Sequence, residues 1–163
     1  MRSTTDDTAS VRLRHVVATL AYRGAKTLRG APAEFGAFRI ADGTRTPVAI
    51  LAHIADLLEW ALRLVQGSGE WKAEESGSWE AESARFFSSL KALDDFLASG
   101  ARLSFPADRL FQGPLADALT HVGQIGMLRR IAGSPVRGEV MIRADVAPGR
   151  LGPDQSPPVR EFD

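Results

Sequence analysis

The run TPVAILAHIADLLEWALRLVQG, residues 46–67, constrains the fold more than any other part of this chain. Thr46 is a good helix N-cap, Pro47 suits the first helical position, and Gly67 is a natural C-terminal stop. Between them, apolar residues cover well over half of the helical circumference. Such a helix cannot lie on a surface with one face in water. It predicts the most buried helix of an assembly that supplies apolar partners on several sides.

Three further segments supply those partners. ASVRLRHVVATLAYRGAKTLR, about 9–29, places Leu13, Val16, Val17, Leu20 and Leu28 on one stripe, and Gly30 and Pro32 end it. SWEAESARFFSSLKALDDFLASG, 78–100, does the same with Phe86, Leu90, Leu93 and Leu97 before Ser99-Gly100. GPLADALTHVGQIGMLRRIAGSP gives a fourth helix over about 113–132, with Pro114 near its start and Gly133 after its end. The connections 30–45, 67–79 and 101–112 are loops, the last containing Phe105-Pro106 and Phe111. After Gly133 the chain is rich in Pro and Gly and has no helical period, so it lies extended over the helices or is partly disordered. GEVMIRADV, 138–146, is the only candidate strand. The expected class is all-α: one domain over 1–163, a four-helix bundle at about 9–132 followed by an extended tail at 133–163.

Composition narrows the function. Lys plus Arg equals Asp plus Glu at 20 each, and that balance argues against a general nucleic-acid binder. With no cysteine, disulfides and cysteine nucleophiles are excluded. No apolar run reaches the length of a membrane span, and MRSTTDDTAS has no apolar leader core, so the expected location is the cytoplasm. Ser10, Ser88 and Ser89 lack a nucleophile-elbow context, and neither GSGEW nor GAPAEFG has the strand-to-helix setting of a phosphate loop.

One polar pair interrupts the fourth helix. At 100° per residue, Asp117 sits about 40° from His121, and Ala118, Ile125 and Leu128 fall within roughly 60° of that histidine. An ionised carboxylate on an apolar stripe is costly unless paired or bound to a metal. The i, i+4 spacing aims both side chains at one point, as in zinc motifs that draw two ligands from one helix. His53, on a stripe with Ile50, Leu57, Trp60 and Leu64, offers a third donor from the buried helix. Two histidines and one carboxylate make a three-ligand metal site with positions open to water or substrate. The plainer alternatives are an Asp117–His121 hydrogen bond, or an Asp117 carboxylate favoured near a helix N-terminus.

HVGQIGMLRRIAGSP is similar to the last-helix motif of the DinB/YfiT-like metalloenzyme superfamily, and TPVAILAHIADLLEWAL looks like its second helix. The resemblance covers the order and approximate spacing of all four helices. It implies an up-down-down-up bundle and a divalent metal held by three histidines, which fall here on His53, Asp117 and His121. Asp117 departs from that pattern, and the resulting two-His, one-carboxylate set suits Zn, Ni, Fe or Mn. It further implies a metal-dependent transferase or isomerase that uses a low-molecular-weight thiol and acts on a small electrophile. The competing expectation is a non-catalytic bundle that binds a small ligand or a protein partner. Homodimerisation through the first and last helices fits both.

Other residues have weaker claims. Asp56 is either an acceptor orienting a ligand imidazole or an exposed helical acid, and Gln124, one turn beyond His121, contacts a ligand or caps a loop. Trp60, Tyr22, Phe35, Phe38 and Trp79 wall a pocket or fill the core. His15 reads as a surface or dimer-face residue, and Arg129 and Arg130 as cations complementing their own helix dipole.

Overall fold

A computed structural model describes the backbone over residues 4–163 and side chains from residue 8 onward. Met1–Ser3, part of the stretch read for a leader, lie outside the described residues. The described chain is mostly helical with almost no strand: α1 (Thr4–Leu28), α2 (Pro47–Gln66), α3 (Trp79–Ser99), α4 (Ala107–Leu110) and α5 (Ala116–Ile131). The π-helical turn Phe111–Leu115 joins α4 to α5, so they form one long run. Among the described residues no helix is long and apolar enough to cross a membrane.

The local signals act as the residues dictate. Thr46 accepts from the Ala49 amide and Ser78 from the Ala81 amide. Gly67 and Gly100 close α2 and α3 at φ 92° and 77°, left-handed conformations that cost a glycine little. The last helix departs from expectation. It begins at Ala107, directly after Pro106, and Pro114 sits inside it instead of starting it. Proline lacks the amide hydrogen that an α-turn needs, and the wider π-turn takes up that loss. Residues 107–112, expected as loop, are therefore helical.

α1 packs on α3 and α5, and α2 packs on the same two helices, so α3 and α5 each bridge α1 and α2. The core between them holds Leu13, Val17 and Leu20 of α1, Ile54, Leu58 and Val65 of α2, the four-residue stripe of α3, and Leu115, Ala118 and Ile125 of the last run. Phe35 and Trp79 join this core with rings edge to face at 5.4 Å, and Tyr22 is also buried. α1 approaches α3 closely at Gly24, where a Cβ would run into the Phe86 ring. Phe86 is fully buried and has nowhere to move. Gly24→Leu is thus expected to lower stability by about 1–3 kcal/mol in denaturant titration, the usual range for overpacking.

Charged groups tie the elements together. Arg14 of α1 binds Asp94 of α3 through two bonds of 2.8 and 3.0 Å. Arg129 does not serve its own helix end. It is buried and donates to the carbonyls of Thr27 and Arg29, at 2.8 and 3.0 Å, and to that of Ser134 at 2.8 Å. It thus satisfies orphan carbonyls where α1 ends and locks the start of the tail. Burial holds its guanidinium pKa below the usual value.

The tail lies along α1. Its candidate strand is reduced to Gly138–Glu139, paired antiparallel with Glu161–Phe162, followed by a 3-10 turn at Met141–Arg143. Glu139 accepts from Tyr22 at 2.7 Å and Lys26 at 2.8 Å, and Lys26 also reaches Glu161 at 2.8 Å. Burial by itself would raise the Glu139 pKa, but the bonds from Lys26 and Tyr22 outweigh it and hold the carboxyl below its ordinary 4.5. A depressed carboxyl contributes stability above its ordinary pKa and loses it as pH falls through the folded value. Protection of the Val140 amide, bonded to the Arg160 carbonyl at 2.9 Å, is expected to fall in hydrogen exchange as pH drops below the ordinary 4.5 of Glu139, while core amides of α2 hold. Equal protection of Val140 at pH 7 and pH 3.5 would remove Glu139 as the clamp.

Candidate metal centre

α2 and α5 lie side by side, and this packing brings His53 against Asp117 and His121. His53 Nε2 stands 3.8 Å from Asp117 Oδ2, and His121 Nε2 stands 3.4 Å from Asp117 Oδ1. The two imidazole rings are 4.9 Å apart and nearly perpendicular at 78°. One ligand atom from each residue falls within 4.8 Å of the others. Donors sharing a tetrahedral ion at bond lengths of about 2.0–2.1 Å lie roughly 3.3 Å apart; the 4.8 Å limit exceeds that, and the spacing of 3.4 and 3.8 Å to Asp117 approaches it. This spacing is also too long for good direct hydrogen bonds, which run at about 2.7–3.2 Å. Asp117 and His121 therefore do not close on each other as the plainer alternative required.

The burial of the three is graded. The side chain of His121 is 13% exposed, that of His53 25% and that of Asp117 48%. The inward carboxylate read from the helical wheel is corrected here: Asp117 stands at the rim, with Ala118, Ile125 and Leu128 buried behind it. Its angular offset from His121 puts it at the edge of the apolar stripe, where water still reaches it. At the rim the Asp117 carboxylate carries little desolvation cost, and what favours a metal is the convergence of three donors.

The surrounding groups prepare the donors. Gln124 Oε1 lies 2.8 Å from His121 Nδ1. With the amide oxygen facing the ring, Nδ1–H donates to it, which leaves Nε2 on the side of Asp117. Burial first, then the nearby His121 and Arg45, hold the His53 pKa below its usual value, against the opposing pull of Asp117 and Asp56. A neutral imidazole is the form that ligates a metal.

Trp71 packs edge-on against His53 at 5.8 Å and against Trp60 at 5.5 Å, making a wall on one side of the cluster. The Trp60 indole donates to the Gly69 carbonyl at 3.1 Å, and Arg63 donates to the Glu70 carbonyl at 2.9 Å, so both hold the 67–78 loop onto α2. Sequence reasoning found Trp60 but missed Trp71 and Arg45. The available signal for Trp71 was a lone tryptophan in a polar, Gly- and Glu-rich connection.

Asp56 is corrected on both of its readings. It is buried, and its carboxylate is engaged by Arg85 of α3, not by the His53 imidazole. Three residues along a helix turn a side chain by about 60° from its neighbour, enough to aim it at α3 instead of α5. Arg85 also binds Glu59 at 2.8 Å and Glu82 at 3.3 Å. His15 is exposed on α1 and takes no part in the cluster.

No family model, no curated protein and no solved structure matches this chain. The two-imidazole, one-carboxylate donor set, with one imidazole oriented by Gln124 and the other held toward its neutral form, fits a divalent transition metal.

Proposed function

We propose that this chain is a DinB-like divalent-metal protein, a single domain folded as an up-down-down-up bundle with its tail laid over α1. In this reading it acts in the cytoplasm, as a homodimer, as a metal-dependent transferase or isomerase that uses a low-molecular-weight thiol and acts on a small electrophile. The observation that supports the reading is the meeting of His53 from α2 with Asp117 and His121 from α5 within 4.8 Å. The resemblance of the two helix sequences points to the same three positions.

His53, Asp117 and His121 would hold the ion, drawn from Zn, Ni, Fe or Mn. A divalent ion held there would supply Lewis acidity, the property that lowers the pKa of a thiol or water bound beside it. Gln124 fixes the His121 tautomer, and Trp71 keeps water from one side of His53. Asp117, at the rim, leaves the approach from solvent open.

The test is the metal content of protein purified without a polyhistidine tag, by elemental mass spectrometry, followed by titration of the chelator-treated protein with each ion. About one equivalent is expected, as for a single three-ligand site. Protein that holds no metal and takes up none of the four ions would end the reading. The half-exposed Asp117 favours a second reading, a bundle that binds a small ligand or partner protein without catalysis. That reading gains if metal binds but no thiol transfer to small electrophiles is detected.

A further inference from the structure

A groove of about 620 Å³ runs along the outer face of α5 next to the three donors. Its volume lies within the range of small-ligand sites. Ile40, Ile50 and Met127 form apolar walls, Thr120 is the lining residue of α5 nearest to Asp117 and His121, and Arg45 lies close enough to His53 to lower its pKa. Gln124 belongs to both features, since it lines the groove and also holds His121. Ile50 lies one turn before His53 on the same helix.

The floor is Gly123. A glycine inside a helix weakens it, and here packing gives no reason for one, because a Cβ at Gly123 would meet nothing within 4 Å. The walls are also uncovered: Ile40 is 53% exposed and Met127 58%. Arg45 is exposed, and among the described residues no carboxylate pairs with it. From Thr120 to Leu128 the groove follows α5 for roughly 12 Å, at 1.5 Å per residue. The groove is thus long, apolar and open, with one unpaired cation near His53.

We propose that this groove is the substrate pocket of the centre and takes an amphiphilic monocarboxylate, its aliphatic chain over Gly123 and Met127 and its carboxylate at Arg45. A guanidinium matches a carboxylate with two parallel hydrogen bonds, and the apolar walls bury the chain. The chemistry done on such a molecule rests on the metal reading, whereas its binding rests on the groove and Arg45.

The probe is octanoate, compared with acetate and octanol by calorimetry on tag-free protein, with zinc and after chelation. Octanoate is expected to bind at least ten-fold more tightly than either control. Arg45→Gln should erase the preference of octanoate over octanol. Gly123→Leu adds its side chain into open space and so preserves the fold; it should weaken octanoate at least ten-fold and leave metal content unchanged. No binding of octanoate, or binding indifferent to Gly123→Leu, overturns the proposal. So does a wild-type dimer that Gly123→Leu dissociates in the absence of octanoate binding, which would give the groove to a second copy of the chain. Metal content read on the same samples separates the two readings. Gly123-dependent octanoate binding by protein that takes up none of the four ions sinks the metal centre and keeps the pocket, and one equivalent of metal without octanoate binding does the reverse.

Discussion

His121→Ala is expected to remove stoichiometric metal from the protein while leaving its fold in place. The substitution deletes one of three donors together with the imidazole that Gln124 orients. The core residues behind it, Ala118 and Ile125, keep their packing. Elemental mass spectrometry should show well under one equivalent, and circular dichroism and the thermal midpoint should stay close to the parent. Gln124→Leu keeps all three donors but frees the ring, and the affinity should fall about 10–100-fold, the usual effect of losing a group that orients a ligand. Asp117→His turns the donor set into three imidazoles. It should still bind one ion, with preference moved from Mn and Fe toward Zn and Ni. Metal retained at the parent level in both His53→Ala and His121→Ala would discard the centre.

Arg85→Met is expected to be the most damaging substitution outside the apolar core. The arginine stands 16% exposed among Asp56, Glu59 and Glu82, and the side chains of Asp56 and Glu82 are 4% and 6% exposed. Burial alone would lower the Arg85 pKa, but the hydrogen bonds to Glu59 and Asp56 outweigh it and raise the pKa above its usual value. Removing the cation leaves two buried carboxylates without their partner. Breaking a buried pair in this way costs about 3–5 kcal/mol, whereas replacing the whole set by neutral groups of similar size often costs little. Denaturant titration should therefore show a large loss for Arg85→Met and a partial recovery when Asp56→Asn and Glu82→Gln are added to it. An equal loss in the single and triple variants would mean that Arg85 acts by packing alone.

Much of the architecture could be read from local pattern. The caps at Thr46 and Gly67, the stripe Phe86, Leu90, Leu93 and Leu97, and the buried character of α2 follow from residue type and a 3.6-residue period, which act over one or two turns. The start of the last helix was not legible, because Pro114 is the ordinary mark of a first turn, and only the helical run from Ala107 shows that a π-turn absorbs it. Arg129 was misplaced for a similar reason. A cation at a helix C-terminus has a sufficient local role, but its partners are the carbonyls of Thr27 and Arg29, far away in the chain.

The candidate site divides along the same line. The sequence by itself determined that His53 stands on one apolar face and that Asp117 and His121 share another, since these are properties of single helices. Tertiary structure decided that the two faces meet, that Asp117 sits at the rim, that Asp56 turns away to Arg85, and that Trp71 closes one side. Periodicity states which residues share a face, and the packing of helices distant in sequence decides what that face touches. A single helical wheel carries no term for the second.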